Sequence, residues 1–382
     1  MKRKTGKSLK QIGGYSSFIP NPLPPVPSIK FDDELLFILS EADRSLAKLD
    51  GITIVLPNPD MFIGMYVKKE ALLSSQIEGT QASLEGVLEF EADLTPRDNI
   101  DDIKEVVNYV KALDYGIERL NDFPMSLRLI KEIHNILIKG TRGGSKTPGE
   151  FRKTQNWIGR PGASLNDAIF IPPPPEMVLQ CMGDLEQFFY KNENIPPLVK
   201  IALIHCQFET IHPFLDGNGR VGRLLISLYL YWKKILTKPV LYLSVYFKRH
   251  RDMYYELLMK VRTEGQWESW IKFFLEGVTR TSVDSAETAR EIIVLKDKLM
   301  EKLYENSISS IYAVKLTNLL FENIVIDTKA VEEKLNIHRD TANELVKRFE
   351  QIGILKEITG KQRYKKYLFK DYIDIIKRGT EL

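Results

Sequence analysis

Residues Ile211 to Arg223 read IHPFLDGNGRVGR and bring one imidazole, one carboxylate, two glycines flanking an asparagine and two arginines into a single short stretch. Asp216, Gly217, Asn218 and Gly219 stand just before VGRLLISLYLYW, an apolar helical pattern. Small residues at a helix N-terminus leave backbone N–H groups free and let a ligand approach closely, and with the helix dipole they attract an anion. Arg220 and Arg223 are spaced to reach the same end of that helix and add charge-assisted bonds to phosphate oxygens. Asp216 beside a polyphosphate calls for a cation between them, and one carboxylate plus phosphates is an arrangement that suits Mg²⁺. His212 closes the preceding helical pattern, where it can take a proton from an attacking hydroxyl. Pro213 and Phe214 anchor the loop. Singly, these features are a structural histidine, a turn and a solvated charged face. Together, at this spacing, they form a base, a metal ligand and a phosphate cradle, the means of attacking a nucleotide phosphate.

These residues need rigid elements on either side, and the rest of the chain is rich in helical patterns. FDDELLFILSEADRSLAKLDG, from Phe31, has apolar residues at helical spacing, acids near its start and Gly51 as a stop. MFIGMYVKKEALLSSQIEGTQASL is helical as far as Ile77, where EGT breaks or caps it, and IDDIKEVVNYVKALDYGIERL and SLRLIKEIHNILIKG add two amphipathic helices. Residues 1–30 lack periodicity, and FIPNPLPPVP suggests an extended strap. Thr141 to Pro175 is rich in Gly, Pro and polar residues, the composition of a long functional loop with a short hairpin. Helices resume at Met177, and one centred on YYELLMKVRTEGQWESWIKFFLEGV closes this unit near Val278. A charged helix from Ala286 to about Leu303 then leads to helix, turn, helix and two short strands around a Gly-Lys turn, the order of a winged helix-turn-helix.

HPFLDGNGRVGR matches the motif HPFx(D/E)GNGRxxR of the Fic family at every specified position, and the chain is identified on it as resembling that family. PGEFRKTQNWIG from Pro148, AIFIPPPPEM from Ala168 and QFETIHPF extend the resemblance over roughly residues 30–280. It implies a mainly α fold: a Fic-type helical core with a short β-hairpin flap, followed by a C-terminal winged helix-turn-helix. It also implies transfer of AMP from ATP to a Ser, Thr or Tyr hydroxyl of a protein, with release of pyrophosphate. On this resemblance His212 is the base and Asp216 holds Mg²⁺ bridging the α- and β-phosphates. Gly217, Asn218 and Gly219 form the anion hole with Arg220, and Arg223 binds the γ-phosphate. AIFIPPPP resembles the flap that pairs with the target's backbone as an added strand. His250, Tyr254 and Tyr255 are the candidates for adenine.

SSQIEGT matches (S/T)xxxE(G/N) through Ser74, Glu78 and Gly79, the inhibitory motif of self-inhibited Fic enzymes. The resemblance pairs Glu78 with Arg223, which takes the arginine away from the γ-phosphate and misplaces the nucleotide. Some family members use this glutamate to align water for removing AMP, a second activity open to the same site. The implied domains are residues 1–102, an N-terminal helical region with the inhibitory helix; 103–282, the catalytic core; 283–305, a linker helix; and 306–382, the winged helix.

Bulk composition is that of an ordinary globular protein. The 382 residues are 43% hydrophobic and 27% charged with a net charge of +3, too near neutral for a dedicated nucleic-acid binder. Two cysteines without zinc spacing point to a reduced, cytoplasmic protein, and no apolar run approaches a membrane span or signal peptide. GTRGGSKT imitates a phosphate-binding loop, but Ser145 stands where its second glycine is needed. His205, Cys206, Glu209 and His212 share a helical face and suggest metal ligands, although buried core residues account for them better. In the winged helix, His338, Arg339, Asp340, Thr341 and Asn343 would open a recognition helix, with Lys361, Arg363, Lys365 and Lys366 along the wing. DNA binding, homodimerisation and automodification are therefore further possibilities, with ATP and a hydroxyl-bearing protein as the principal partners.

Overall fold

The computed structural model describes residues 3–56, 58–160, 162–191 and 194–381; the outermost residues of the first and last expected domains lie outside these. An N-terminal hairpin pairs β1 (Gly6–Lys10) with β2 (Ser16–Pro20) in antiparallel register, Gly6 opposite Pro20. Then come α1 (Asp33–Ile54), α2 (Pro59–Ile77), α3 (Leu84–Glu91), α4 (Ile100–Leu120) and α5 (Leu127–Ile138). After a long loop follow α6 (Pro175–Tyr190), α7 (Pro197–Ile211), α8 (Asn218–Trp232), α9 (Ser244–Arg249), α10 (Arg251–Glu264) and α11 (Trp267–Glu305). The last part holds α12 (Ile311–Leu320), β3 (Val325–Asp327), α13 (Thr328–Leu335), α14 (Arg339–Gln351), β4 (Leu355–Glu357), β5 (Lys366–Phe369) and α15 (Lys370–Ile376).

Local sequence accounts for many of the boundaries. Asp32 accepts a hydrogen bond from Leu35 N at 2.8 Å to start α1, and Asn58 one from Met61 N at 3.0 Å to start α2 just ahead of a proline. Ser83, Asn99 and Ser126 cap α3, α4 and α5 in the same way. Helix α7 is buried along nearly its whole length, every residue from Leu198 to Ile211, and most of α8 is buried as well. A helix apolar all round belongs in the middle of a core. The loop between α7 and α8 therefore hangs from two deeply buried helices.

Three regions differ from the sequence-based expectation. The N-terminal strap contains the hairpin β1–β2. Its outer strand is exposed, without an alternating pattern to announce it, and it is held by tertiary bonds such as Phe18 N to Ile171 O at 2.9 Å and Thr5 Oγ1 to Arg262 O at 2.9 Å. The helix expected to close near Val278 is two helices, broken at Gly265 (φ +71), and the second runs on unbroken to Glu305. Its buried stripe continues through Thr281, Ser285, Ala289, Ile292, Leu295, Leu299 and Leu303 with no breaker, so the separate linker helix is the far half of α11. The expected flap hairpin is reduced to a single bridge, Ile158 with Phe170, because prolines from Pro172 onward cannot donate to a ladder.

The C-terminal part packs α12, α13 and α14 against an antiparallel sheet of order β3-β5-β4, the element order anticipated for it. Lys366, expected on the wing, lies at the start of β5 with its ammonium on the Ala92 carbonyl. The segment after α15 reaches back to the end of α2. There Lys248 Nζ bonds both Glu381 O and Gln76 Oε1 at 2.7 Å, and Lys69 Nζ bonds Arg378 O at 2.5 Å.

Candidate active site

His212 ends α7 in the left-handed conformation (φ +50, ψ +60), with its N–H on Phe208 O at 2.9 Å. A non-glycine residue holds this backbone only when its surroundings enforce it. Arg152 and Asn156 do so. Arg152 Nε and Asn156 Nδ2 donate to His212 O at 2.9 and 3.2 Å, and Asn156 Nδ2 also donates to Phe214 O at 2.9 Å. Arg152 further binds Pro173 O at 2.6 Å, tying the loop to the segment before α6. Sequence reasoning assigned no role to either residue, although both lie in the PGEFRKTQNWIG stretch that carries part of the resemblance. The imidazole is mostly buried. Burial first, and then the charges of Arg262 and Arg152, push its pKa down to about 4, so it is neutral at pH 7 with a lone pair available.

The turn from Phe214 to Gly217 is fixed from both ends. Asn218 Oδ1 accepts from Phe214 N and its Nδ2 donates to Phe214 O, each at 2.8 Å. Its side chain is thus spent on the loop, and only its backbone N–H faces the helix entrance. His134 donates from Nε2 to Asp216 O at 3.0 Å, a tautomer set by Gly149 N donating to Nδ1 at 2.9 Å, and its ring stacks on Phe214 at 3.7 Å. Gly217 starts α8 at φ +76 without any side-chain cap, so the first-turn N–H groups of the helix remain open to an anion. Arg220 is buried on the same end. Its Nε and Nη1 have no hydrogen-bond partner, although Glu105 Oε2 and Asp216 Oδ1 stand 3.4 Å from the guanidinium. Nη2 donates to Asp216 Oδ1 at 3.4 Å, and a buried guanidinium with two nitrogens left unbonded beside an uncapped helix is a place where phosphate oxygens fit.

Asp216 is 41% exposed, and its Oδ1 accepts from Gly217 N at 2.6 Å. Among the described residues no group of three or more His, Cys, Asp or Glu could enclose a metal. A single open carboxylate suits a cation whose other ligands are phosphate oxygens and water. His205 and Cys206, weighed as metal ligands, are core residues. His205 is buried with Nδ1 on Gly222 O at 3.0 Å and Nε2 on Tyr254 OH at 2.9 Å, and Cys206 is fully buried.

The end of α2 lies against this loop. Arg223, 2% exposed, donates from Nε to Ser74 Oγ at 2.8 Å and from Nη2 to Ser74 O at 2.9 Å and Glu78 Oε1 at 2.7 Å. Gly79, at φ +97, ends the helix and lets the chain turn away. Glu78 Oε1 sits over the start of α8, close enough that a Cβ on Gly219 would lie 2.2 Å from it. Burial opposes the charge on Glu78, but Arg223, with Arg220 and His212 behind it, holds its pKa below the usual value.

The residues considered for adenine separate. Tyr254 is buried against Phe247 at 4.6 Å and bonded to His205. His250 joins α9 to α10, with its ring 4.5 Å from Tyr246. Tyr255 keeps a partly exposed ring, and burial followed by the charge of Glu78 pushes its hydroxyl up to about 12.

The mainly helical core around this junction has the Fic fold. The chain belongs to the Fic/DOC family: the family's N-terminal model matches residues 36–118 and its main model residues 124–230. A Culex quinquefasciatus protein named protein adenylyltransferase Fic is 30% identical over 191 residues, 48% of this chain and 34% of that protein. Its Drosophila grimshawi namesake is 28% identical over 228 residues, 56% of this chain and 43% of that protein. The chain thus spans less than half the length of these two curated relatives. Among solved structures, a Fic family protein from Desulfovibrio desulfuricans superposes with a TM-score of 0.59 at 20% identity, covering 89% of this chain and 97% of that one. A Fic domain-containing signaling protein from Bacteroides thetaiotaomicron gives 0.52 at 16% identity over 66% and 96%. No helix among the described residues is long and apolar enough to cross a membrane.

Proposed function

We propose that this chain transfers AMP from ATP to a hydroxyl side chain of a protein and that Glu78 restrains the reaction. The observation carrying the proposal is the α7–α8 junction, where a neutral His212, an uncapped helix start and the buried guanidinium of Arg220, with Nε and Nη1 unbonded, converge. The target oxygen attacks the α-phosphorus as its proton passes to His212. The bond from the α-phosphorus to the bridging oxygen breaks, and pyrophosphate leaves with the electron pair. First-turn N–H groups of α8 and Arg220 accommodate the charge, and Arg223 takes the γ-phosphate once Glu78 releases it. Asp216 would hold Mg²⁺, which supplies charge neutralisation on the phosphates when bound. The names of the relatives and the intact motif favour ATP and a protein acceptor. Incubation with α-labelled ATP, CTP, GTP and UTP in turn, reading label and intact mass on the chain and on a lysate, tests the donor. Label from another nucleotide but not from ATP would replace AMP with that nucleotide's monophosphate.

Asp216→Ala in a Glu78→Gly background is expected to raise the Mg²⁺ concentration for half-maximal transfer by roughly 10-fold or more, since one of few non-phosphate ligands is lost. An unchanged Mg²⁺ curve would remove Asp216 from the metal.

A second, accessory reading concerns DNA. Arg339, Thr341, Asn343, Lys347 and Arg348 on α14 and Lys361 and Arg363 on the following wing are all exposed, in the part of the chain built from α12 to β5. The full chain should retain labelled duplex at low salt, and the Lys361→Ala/Arg363→Ala variant should lower the salt slope by about 2. A duplex that migrates freely at low salt excludes this reading.

A further inference from the structure

Two buried polar groups at the end of α7 lack the partner each needs. His212 Nδ1 is buried with no hydrogen bond, and so is Oε1 of Glu209, while Oε2 of the same carboxyl lies 3.9 Å from Nδ1. Glu209 is one helical turn before His212, only 6% exposed, and packed so closely over α8 that a Cβ on Gly222 would lie 2.4 Å from Oε1. The surrounding cations are committed elsewhere. Arg262 on α10 donates from Nη2 to the Glu209 backbone carbonyl at 3.0 Å and from Nε to Thr210 Oγ1 at 3.1 Å, whereas Arg223 on α8 serves Ser74 and Glu78. Arg152 holds backbone carbonyls, and Tyr254 on α10 is bonded to His205. The Glu209 backbone carbonyl, already accepting from Arg262, also lies by the His212 ring and favours its protonated form, which leaves the Glu209 carboxyl as the side-chain partner within reach of Nδ1. A shift of roughly 1 Å closes their gap to a hydrogen bond.

We propose that Glu209 is a positioning residue for His212, its ionised carboxylate accepting Nδ1–H so that Nε2 carries the lone pair offered to the substrate. This deepens the AMP-transfer reading and rests on it. As the new oxygen–phosphorus bond forms and the bond to pyrophosphate breaks, the hydroxyl proton moves to Nε2, and the resulting imidazolium keeps its Nδ1–H on a carboxylate of opposite charge. With a proton on Glu209 the sense reverses. The carboxyl then donates to Nδ1, the neutral ring carries its proton on Nε2, and no lone pair faces the target.

The charges around the pair suit such a switch. Burial pushes Glu209 up to about 7, with Arg223 and Arg262 working against the shift and Glu78 adding to it. His212 is displaced down to about 4, chiefly by burial, so near neutral pH the proton that moves is the one on Glu209. Removal of Glu78 takes away a like charge and eases ionisation of Glu209, so the restraint on Arg223 and the state of the base are linked.

The test uses the full chain in the Glu78→Gly background, comparing AMP transfer with and without Glu209→Gln from about pH 5.5 to 9. Glu78→Gly should show a rate that rises with pH through an apparent pKa near neutrality. Glu209→Gln should erase that limb and lower the plateau by roughly 10-fold without changing KM for ATP, because an amide oxygen accepts Nδ1–H but carries no charge and does not titrate. An unaltered limb and plateau would overturn the proposal. A second measurement does not depend on activity. The chain has five histidines, so ¹⁵N imidazole spectra of wild type can be assigned for His212 by its loss in His212→Ala. The neutral ring should pass from Nδ1–H to Nε2–H as pH falls, and should stay Nδ1–H in Glu209→Gln. A tautomer indifferent to pH in wild type overturns the pairing. The tautomer switch without AMP transfer in Glu78→Gly upholds the pairing and removes the AMP-transfer reading.

Discussion

Glu78→Gly is expected to raise AMP transfer by roughly 10- to 100-fold over the unaltered chain. A hydrogen bond to a charged group contributes about 1.5–3 kcal/mol, and each 1.4 kcal/mol is about a factor of ten. The carboxylate to be removed is 37% exposed, which keeps the figure below that for a fully buried ion pair. The substitution frees one bond on Arg223 Nη2 and clears the space over Gly219 that a γ-phosphate would need. Ser74 still holds Nε of the arginine, so its side chain stays aimed. Glu78 caps α2 at φ −86, a conformation glycine adopts without strain, so the melting temperature should move little. Glu78→Gln, which keeps the shape and loses the charge, should fall between the two. Equal rates in wild type and Glu78→Gly would sink the autoinhibitory reading.

His212→Ala in the Glu78→Gly background should reduce transfer at least ~100-fold, the usual contribution of a general base, while ATP still binds. His212 has a left-handed backbone, where alanine costs about 1–2 kcal/mol, and loss of activity could follow from misfolding. His212→Asn settles the matter, because asparagine tolerates that conformation but cannot take the proton. His212→Asn should melt near the parent and His212→Ala a few degrees below it, and both should retain nucleotide. Rates within a few-fold of the parent in folded His212→Asn would assign the proton transfer to another group.

The α7–α8 loop was legible because its arrangement is local. A helix entrance, its glycines and two arginines on adjacent turns are one contiguous stretch, and helical geometry alone places them together. The end of α2 at Ile77 was legible for a similar reason, since a glycine such as Gly79 takes up the left-handed turn that ends a helix. Arg152 and Asn156 were not singled out, because what makes them matter is a backbone carbonyl about 60 residues away in the chain. Glu209 was visible but was set among buried core residues, since sequence does not show that Arg262 serves its carbonyl and leaves its carboxyl alone. The unbroken run of α11 past Val278 lay in the sequence as a continuing stripe of small and apolar residues, masked by the expectation that a domain should end there.

By itself the sequence determined the family, the helical class, and that His212, Arg220 and Arg223 stand at one helix junction, because motif and helical period are properties of neighbouring residues. Only the tertiary structure decided that Ser74 and Glu78 meet Arg223, that Asn218 spends its side chain on Phe214 and that Glu209 faces His212. It also decided that the hairpin at the N-terminus rests on Ile171. Each of those contacts joins residues through packing of separate elements or through a side-chain direction. Neither is set until the buried helices α7 and α8 fix where every neighbouring group can lie.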